Sequence, residues 1–265
     1  MIAPGALAVV TGAGSGIGRA TAVALASRGM HIVALDVEGS SAAAVASATG
    51  GEAHTVDVSD GQAVEGTARS VIGEHGPPDV LVNNAGVGMT GRFLDTSDDD
   101  WRWILGTNLG GVVHGCRAFG PAMVARGHGH VVNVSSGLAF TPRATEPAYV
   151  TTKAAVLALS RCLRADWARH GVGVSVVCPG VIDTGITART RYRGERATAE
   201  SVARIRRMFA RGHPPEEVAT AIVDAVAQDR PVVPVGLEAR VGWFLNGLLP
   251  ARVVDRAART SLFGI

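Results

Sequence analysis

A single lysine stands four residues after one of the chain's two tyrosines. Lys153 is the only lysine among 25 basic residues, and Tyr149 precedes it in Y-x-x-x-K spacing. On a helix, positions i and i+4 share a face, with Cβ atoms about 5–6 Å apart, so the phenol and the ammonium can face one cleft. A nearby cation favours the phenolate, which would let Tyr149 act as a general acid and base near neutral pH. The pair is therefore the first candidate for catalysis.

A glycine-rich turn follows the first apolar run and opens the first helical pattern. It reads T-G-A-G-S-G-I-G from Thr11 to Gly18, with G-x-x-x-G-x-G spacing rather than the more familiar G-x-G-x-x-G. Glycines allow a tight turn and close approach of the backbone to a pyrophosphate. A helix N-terminus adds free N–H groups and the positive end of a dipole. The turn therefore predicts a dinucleotide site.

An acidic residue ends the second apolar run, 18 residues after Gly18. Asp36 stands where a carboxylate would accept hydrogen bonds from an adenosine ribose. A carboxylate there also repels a 2′-phosphate, and no arginine follows it directly, because Val37 and Glu38 come next. We therefore expect NAD as the cofactor, in preference to NADP.

Apolar runs alternate with helical patterns along most of the chain. The predicted strands are Leu7–Val10, His31–Leu35, His54–Val56, Val80–Val82, His130–Val134, Val172–Val177 and Pro231–Val235. The predicted helical segments are Ile17–Arg28, Ser41–Thr49, Asp60–His75, Asp98–Ala125, Tyr149–Arg169 and Pro215–Gln228. Continuous Val, Ile and Leu strands joined by helices are typical of a parallel sheet covered on both faces. We predict an α/β fold: one doubly wound Rossmann-type domain over residues 1–265, with about seven parallel strands and ligands at their carboxyl ends.

Two segments fall outside this alternation. Residues 184–212 contain eight arginines and no clear strand, and we expect a solvated, mobile substrate lid over the strand ends. Residues 237–265 form an apolar and basic tail, expected to pack across the substrate cleft or a partner subunit. A membrane-surface contact is an alternative that Gly247 and Pro250 make less favourable. The residues that define the tail are Trp243, Phe244, Leu245, Leu248, Leu249, Arg252, Arg256 and Arg259.

Further motifs occur in a fixed order between the glycine turn and residue 184. They are Asp57-Val58, Asn83-Asn84-Ala85-Gly86, Asn108, Asn133-Val134-Ser135-Ser136 and Pro179-Gly180-Val181-Ile182-x-Thr184. Together with the glycine turn and Y-x-x-x-K, they make the chain strongly resemble the classical short-chain dehydrogenase/reductase (SDR) family over roughly residues 5–184. The resemblance implies an oxidoreductase that uses a nicotinamide cofactor.

The resemblance also implies roles for individual residues. Tyr149 would exchange a proton with the substrate, and Lys153 would bind the nicotinamide ribose and lower the phenol's pKa. Ser136 would polarise the carbonyl, and Asn108 would hold a water that links Lys153 to solvent. The implied cofactor-binding residues are Gly12, Ser15, Gly16, Ile17, Gly18, Asp36, Asp57, Val58, Asn84, Ala85, Gly86, Tyr149, Lys153, Pro179, Gly180, Ile182 and Thr184.

Composition argues against several other classes of protein. The net charge of +2 gives no overall attraction to nucleic acid. The sequence contains no run of 18 apolar residues, so no membrane-spanning helix is predicted. The three cysteines, Cys116, Cys162 and Cys178, follow no metal-ligand pattern and are interpreted as buried thiols of a reducing cytoplasm. We expect no metal site, no nucleic-acid partner and a cytoplasmic location.

These observations predict an NAD-dependent oxidoreductase that interconverts a secondary alcohol and a ketone on a fairly hydrophobic small molecule. One alternative is an NADPH-dependent ketoreductase acting on an acyl thioester. A second is a non-catalytic dinucleotide-binding sensor or scaffold, against which intact Ser136, Tyr149 and Lys153 argue. The chain is expected to form a homodimer or homotetramer, with dimerisation through the long helices around 98–125 and 149–169.

Overall fold

A parallel sheet with helices on both faces forms the centre of the computed structural model, which describes residues 2–250, 252–253 and 258. Within these residues the sheet has seven parallel strands in the order β3-β2-β1-β4-β6-β7-β9, and β5 and β8 form a separate pair. The strands are β1 (Leu7–Thr11), β2 (His31–Asp36), β3 (Glu52–Thr55), β4 (Val80–Asn83), β5 (Gly88–Thr90), β6 (Gly129–Val134), β7 (Val172–Pro179), β8 (Thr190–Tyr192) and β9 (Val232–Val235). The predicted doubly wound Rossmann-type sheet is confirmed.

Nine α-helices lie in the described part of the chain. They are α1 (Gly16–Ala26), α2 (Gly39–Thr49), α3 (Gly61–His75), α4 (Asp98–Leu105), α5 (Gly111–Arg126), α6 (Pro147–Trp167), α7 (Ala199–Phe209), α8 (Pro215–Gln228) and α9 (Leu237–Asn246). Six of the helical segments were predicted, but the segment 98–125 is divided by a π-helical turn at Gly106–Gly110. Helices α7 and α9 and strands β5 and β8 were not predicted, because arginines or interrupting glycines obscure the longer patterns and the two strands have only three residues each.

Alternate side chains of the strands bury into two separate cores. In β1, Ala8 and Val10 belong to the core covered by α1, α2 and α8. Leu7 and Val9 belong to the core covered by α3, α5 and α6. Each buried Val or Leu contributes about 1.5–3 kcal/mol relative to an exposed one, so both faces of the sheet hold the helices in place.

The strand order reverses between β1 and β4, and this determines where a ligand can bind. Strand β1 pairs with β2 on one side and with β4 on the other. The loops that follow β1 and β4 therefore diverge and leave a crevice at the carboxyl ends of the strands. The glycine turn and the Asn84-Ala85-Gly86 segment occupy these two loops.

The arginine-rich segment 184–212 is ordered and tied to the fold. Its strand β8 pairs with β5, and buried Asp100 of α4 accepts hydrogen bonds from Arg191 at 3.1 Å and from Arg193 at 2.7 and 2.8 Å. The Arg191 guanidinium also lies 4.1 Å from the centre of the Trp103 ring. The expectation of a solvated loop is therefore wrong for these two arginines, because a buried carboxylate outside the segment pairs with them.

Three other expectations concern the remainder of the chain. In the described residues, no helix has the length and apolar character needed to cross a bilayer. Cys116 and Cys178 are buried as expected, but Cys162 is exposed, because it lies on the outer side of α6. Within the predicted tail, α9 is described, whereas Arg256 and Arg259 lie outside the described residues.

Candidate active site

A cavity of about 1380 Å³ opens at the carboxyl ends of the central strands. Its volume exceeds the usual 300–1,000 Å³ of small-ligand sites and leaves room for a dinucleotide and a second molecule. Of the residues predicted to be catalytic or to bind cofactor, only Gly18 and Asn108 are absent from its lining. The fold therefore brings nearly all of the predicted residues together around one space.

The glycine turn is held against the loop after β4. Gly12 and Gly16 have φ angles of 63° and 49°, which favour glycine. A Cβ at Gly12 would lie 2.8 Å from the Cα of Ala85, so only glycine allows the two loops to approach this closely. The Asn84 side chain donates to the carbonyl oxygens of Thr11 at 3.0 Å and Gly12 at 3.2 Å. Asn84 thus braces the turn as well as lining the cavity.

Gly18 has a packing function. A Cβ there would collide with the carbonyl oxygen of Gly12, so the glycine lets α1 start directly beneath the turn. This explains why Gly18 belongs to the motif although it does not line the cavity.

The Asp36 carboxylate lies at the carboxyl end of β2 and is 2% exposed. It accepts hydrogen bonds from the backbone N–H groups of Gly14 at 2.8 Å and Glu38 at 3.0 Å. The Arg189 guanidinium approaches to 3.9 Å from Asp36 Oδ1. Sequence reasoning missed this arginine, because it looked only at residues next to Asp36 in the chain.

The next loop along the sheet edge carries Asp57 and Val58. The Asp57 carboxylate accepts hydrogen bonds from the N–H of Ser59 at 2.9 Å and from its hydroxyl at 2.7 Å. Val58 is buried. Both residues line the cavity, on the same side as Asp36.

The candidate catalytic groups come from α6 and the end of β6. Lys153 is 4% exposed; its Nζ donates to the Val134 carbonyl at 3.1 Å and lies 5.9 Å from the centre of the Tyr149 ring. Ser135 turns its hydroxyl away to the Lys153 carbonyl at 2.7 Å. Ser136 begins a short helical turn by accepting the Leu138 N–H at 3.2 Å, and lines the cavity.

Desolvation moves the pKa of the two reactive groups in opposite directions. Burial raises the pKa of Tyr149 to about 12, against the opposing influence of the Ser136 hydroxyl, and the nearby Glu146 charge raises it further. Burial lowers the pKa of Lys153 to about 8. In the chain alone, burial is the main influence on the pKa of Tyr149. The expectation that Lys153, together with the positive charge of an oxidised nicotinamide, lowers the phenol's pKa stays a prediction.

Asn108 lies behind the cavity wall, in the π-helical turn. Its carbonyl accepts the Val87 N–H at 2.8 Å, and its amide donates to the Val87 carbonyl at 3.0 Å and to Thr152 at 3.2 Å. A Cβ added to Gly86 would lie 3.3 Å from Asn108 Oδ1 and 3.4 Å from Lys153 Nζ. Asn108 is thus close to Lys153 and holds the loop beside it in place.

The segment that follows β7 completes the cavity. Ile182 is buried at 3% exposure, and Thr184 accepts the Ile186 N–H at 3.5 Å. The Gly180 N–H donates to the Val235 carbonyl at 2.9 Å. With Pro179, these residues line the same wall.

Glu146 is a cavity residue that sequence reasoning missed. It lies three residues before Tyr149, at the start of α6, with its side chain 14% exposed and 3.8 Å from Arg143. Burial raises the pKa of its carboxyl group, against the opposing charges of Arg143 and Arg196. No sequence motif indicated that the Glu146 carboxyl group would lie near the Tyr149 phenol.

Apolar side chains line the rest of the cavity, with arginines among them. The apolar residues include Phe140, Ile186, Ile205, Phe209, Val241 and Leu245. The arginines from the segment 184–212 include Arg196, Arg204, Arg207 and Arg211. Apolar and basic side chains therefore share the lining of the cavity.

Comparisons with known proteins agree with this geometry. The family profile described as "short chain dehydrogenase" matches residues 6–194. The chain is 48% identical over 255 residues to "Probable oxidoreductase EphD" of Mycobacterium tuberculosis, covering 92% of this chain but 43% of that protein. The chain therefore spans less than half the length of this relative. It is also 35% identical to D-threitol dehydrogenase of Mycolicibacterium smegmatis, covering 83% of this chain and 85% of that protein.

A solved structure extends the similarity to three dimensions. A short chain dehydrogenase/reductase from Burkholderia phymatum, crystallised in complex with NAD, superposes with a TM-score of 0.86 at 31% identity. The match covers 97% of this chain and 96% of the other.

Replacing Lys153 with methionine is expected to stabilise the protein. Because the lysine's pKa falls from 10.5 to about 8 on folding, the unfolded chain binds the proton more tightly and burial destabilises the fold below pH 8. Lys153→Met should raise the free energy of unfolding by about 1–3 kcal/mol at pH 7, and the gain should shrink between pH 8 and 10.5. Urea denaturation at pH 7 and pH 10 measures both effects. A destabilised variant at pH 7 would contradict the assignment.

Replacing Asp100 with asparagine is expected to loosen the segment 184–212. Arg191 and Arg193 lower the pKa of the Asp100 carboxyl group well below its usual range, so the ion pairs persist at all pH values above about 4. Asp100→Asn should speed trypsin cleavage at the arginines of the segment about tenfold, which corresponds to about 1.4 kcal/mol of local opening. Mass spectrometry identifies the cleaved bonds. Asp99→Asn, at an exposed neighbouring position, is the control and should leave the rate unchanged.

Proposed function

Because the chain belongs to the short-chain dehydrogenase family, we propose that it is an NAD-dependent oxidoreductase that interconverts a secondary alcohol and a ketone. The family membership confirms the resemblance drawn from the sequence motifs. The observation that carries the proposal is the meeting of Ser136, Tyr149 and Lys153 on the wall of one large cavity. The cavity also contains the glycine turn and Asp36.

The residues present fit a nicotinamide dinucleotide. Gly12 and Gly16 let the turn pack directly against Ala85 and Thr184 at the cavity wall, and Asp36 offers a buried carboxylate to the adenosine ribose. When bound, the cofactor supplies the hydride acceptor or donor. Lys153 would hold the nicotinamide ribose, and Ile182 and Thr184 would contact the carboxamide end.

Proton transfer would fall to the chain's own side chains. In the reductive direction the Tyr149 hydroxyl donates its proton to the carbonyl oxygen, while the Ser136 hydroxyl stabilises the negative charge that develops there. Lys153, with Asn108 close by, would return the proton from solvent.

The substrate is proposed to be fairly hydrophobic. Apolar side chains from three parts of the chain, such as Phe140, Ile205 and Val241, line the cavity, and Phe140 also packs against Trp243 at 4.9 Å between ring centres. A relative acts on the polar D-threitol, as its name states. The apolar wall of this chain supports a different substrate class.

A second candidate function rests on the arginines of the cavity. Arg196, Arg204, Arg207 and Arg211 could bind the phosphates of an acyl thioester of coenzyme A, and the reaction would then be a ketoreduction with NADPH. Turnover of a 3-ketoacyl thioester with NADPH, faster than oxidation of simple secondary alcohols with NAD, would favour this candidate.

Tyr149→Phe is expected to remove turnover and leave cofactor binding intact. Loss of a positioned proton donor should lower kcat by about 10²–10⁴-fold, while the dissociation constant for NAD should change less than about twofold. The assay is NADH formation with a panel of aliphatic, aromatic and steroid alcohols, alongside NAD titration. Tyr192→Phe removes the chain's other phenol, which binds the Thr187 carbonyl at 3.0 Å, and should retain activity. Full activity of Tyr149→Phe would exclude the mechanism.

Cofactor preference is expected to depend on Asp36. NAD should bind at least tenfold more tightly than NADP, because the buried carboxylate accepts from ribose hydroxyls and repels a 2′-phosphate. Asp36→Asn keeps the shape of the side chain but removes its charge. It should therefore weaken NAD binding and reduce the ratio of NAD affinity to NADP affinity. Glu38→Gln changes an exposed neighbouring carboxylate and is the control. Calorimetric titration of both dinucleotides tests the expectation; tighter NADP binding to the unmodified protein would show that Arg189 outweighs Asp36.

A further inference from the structure

A cluster of histidines and one carboxylate lies at the edge of the sheet opposite the cavity. His31 is the first residue of β2, Glu52 the first of β3 and His75 the last of α3. One side-chain ligand atom from each lies within 4.8 Å of the other two. Since Asp36 is the last residue of β2, the cluster lies about 17 Å from it, one strand length away. It is therefore separate from the dinucleotide and substrate site.

The sheet register explains why these three residues meet. Val33 pairs with Glu52, and His31 lies two residues earlier in β2, so the two share the face that Val33 presents. Val33 packs in the same core as Val71 of α3. His75 follows Val71 by four residues and so extends the same helix face. His31 and Glu52 are 21 residues apart in the chain, and Glu52 and His75 are 23 apart. No short sequence motif therefore indicates the site.

Two imidazole nitrogens at this place are buried without a hydrogen-bond partner among the described residues. They are His31 Nε2 and His54 Nε2. His75 Nε2 contacts Glu52 Oε1 at 2.9 Å, and His54 Nε2 lies 3.7 Å from the same oxygen. A buried polar atom without a partner is unfavourable, and a cation coordinated by His31 would remove that cost there. The side chains of Glu52 and His75 are only 28% and 23% exposed, so the pocket is partly shielded from water.

We propose that His31, Glu52 and His75 bind one divalent transition-metal ion of the Zn²⁺ type, with water in the fourth position. Imidazole and carboxylate are ordinary Zn²⁺ ligands, at about 2.0–2.2 Å from the metal. Tetrahedral coordination needs ligand atoms about 3.4 Å apart, so the present separations require only small side-chain movements. The site would overturn the expectation of no metal, which rested on local spacing alone.

The position of the site gives it a structural role. Strand β3 is an edge strand of the sheet, and an edge strand is held on one side only. The metal would join β3 to the start of β2 and to the end of α3. It would act on the stability of this edge and not on hydride transfer.

Zinc titration of tag-free protein tests the proposal. The protein should carry Cys162→Ser, because the exposed thiol could bind Zn²⁺ by itself. Calorimetry with ZnCl₂ is expected to give one ion bound at the cluster, and Tm should rise by about 3–6 °C with Zn²⁺ at tenfold its Kd. Co²⁺ in place of Zn²⁺ should give the visible absorption of a four-coordinate site.

Two variants and one control connect the binding to these residues. His75→Ala and Glu52→Gln should each weaken Zn²⁺ binding at least tenfold and remove the rise in Tm, with unchanged circular dichroism and NAD affinity. His128→Ala is the matched control, since His128 is also a surface histidine, 3.7 Å from the Asp79 carboxylate. Absence of Zn²⁺ binding, or affinity unaffected by both variants, would show that the cluster is only a hydrogen-bonded contact. Equal loss in the control would also overturn the proposal.

Discussion

The buried ammonium of Lys153 is the feature on which the rest of the site depends. Removing a charged amine from water is unfavourable, and the fall of its pKa to about 8 expresses that cost. Helix α6 places the lysine beside the end of β6, and a hydrogen bond to the Val134 carbonyl offsets part of this unfavourable free energy. The two cores on either side of the sheet keep these elements together, so the position of one cation relies on the packing of the whole sheet.

The same dry environment acts on Tyr149 and Glu146. Burial raises the pKa of both groups, while it lowers that of Lys153. Burial thus acts against the charged form of all three groups. Because charges interact more strongly where water is excluded, an additional charge entering the cavity would change these values more than it could at the surface.

Ion pairs and strand pairing, and not apolar packing alone, hold the arginine-rich segment 184–212 against the fold. Asp100 is buried in α4 and takes up the charges of Arg191 and Arg193, and β8 adds backbone hydrogen bonds to β5. Five other arginines of the segment line the cavity: Arg189, Arg196, Arg204, Arg207 and Arg211. The segment is therefore attached through two arginines and presents others to the cavity.

The amino-acid sequence alone determined the order and kind of the elements. Buried parallel strands and amphipathic helices have different hydrophobic patterns, and each pattern is contained in a short stretch of the chain. The sequence also determined the candidate site, because glycine turns, Asp36 and the Tyr149–Lys153 pair follow directly on strand ends or share one helix face. Only the tertiary structure decided which distant groups meet: Arg189 with Asp36, Asp100 with its two arginines, and His31 with Glu52 and His75. These contacts depend on strand register and on the angle at which helices pack, which no local pattern contains. The direction of the pKa shifts was decided there too, because desolvation is a property of the assembled cavity.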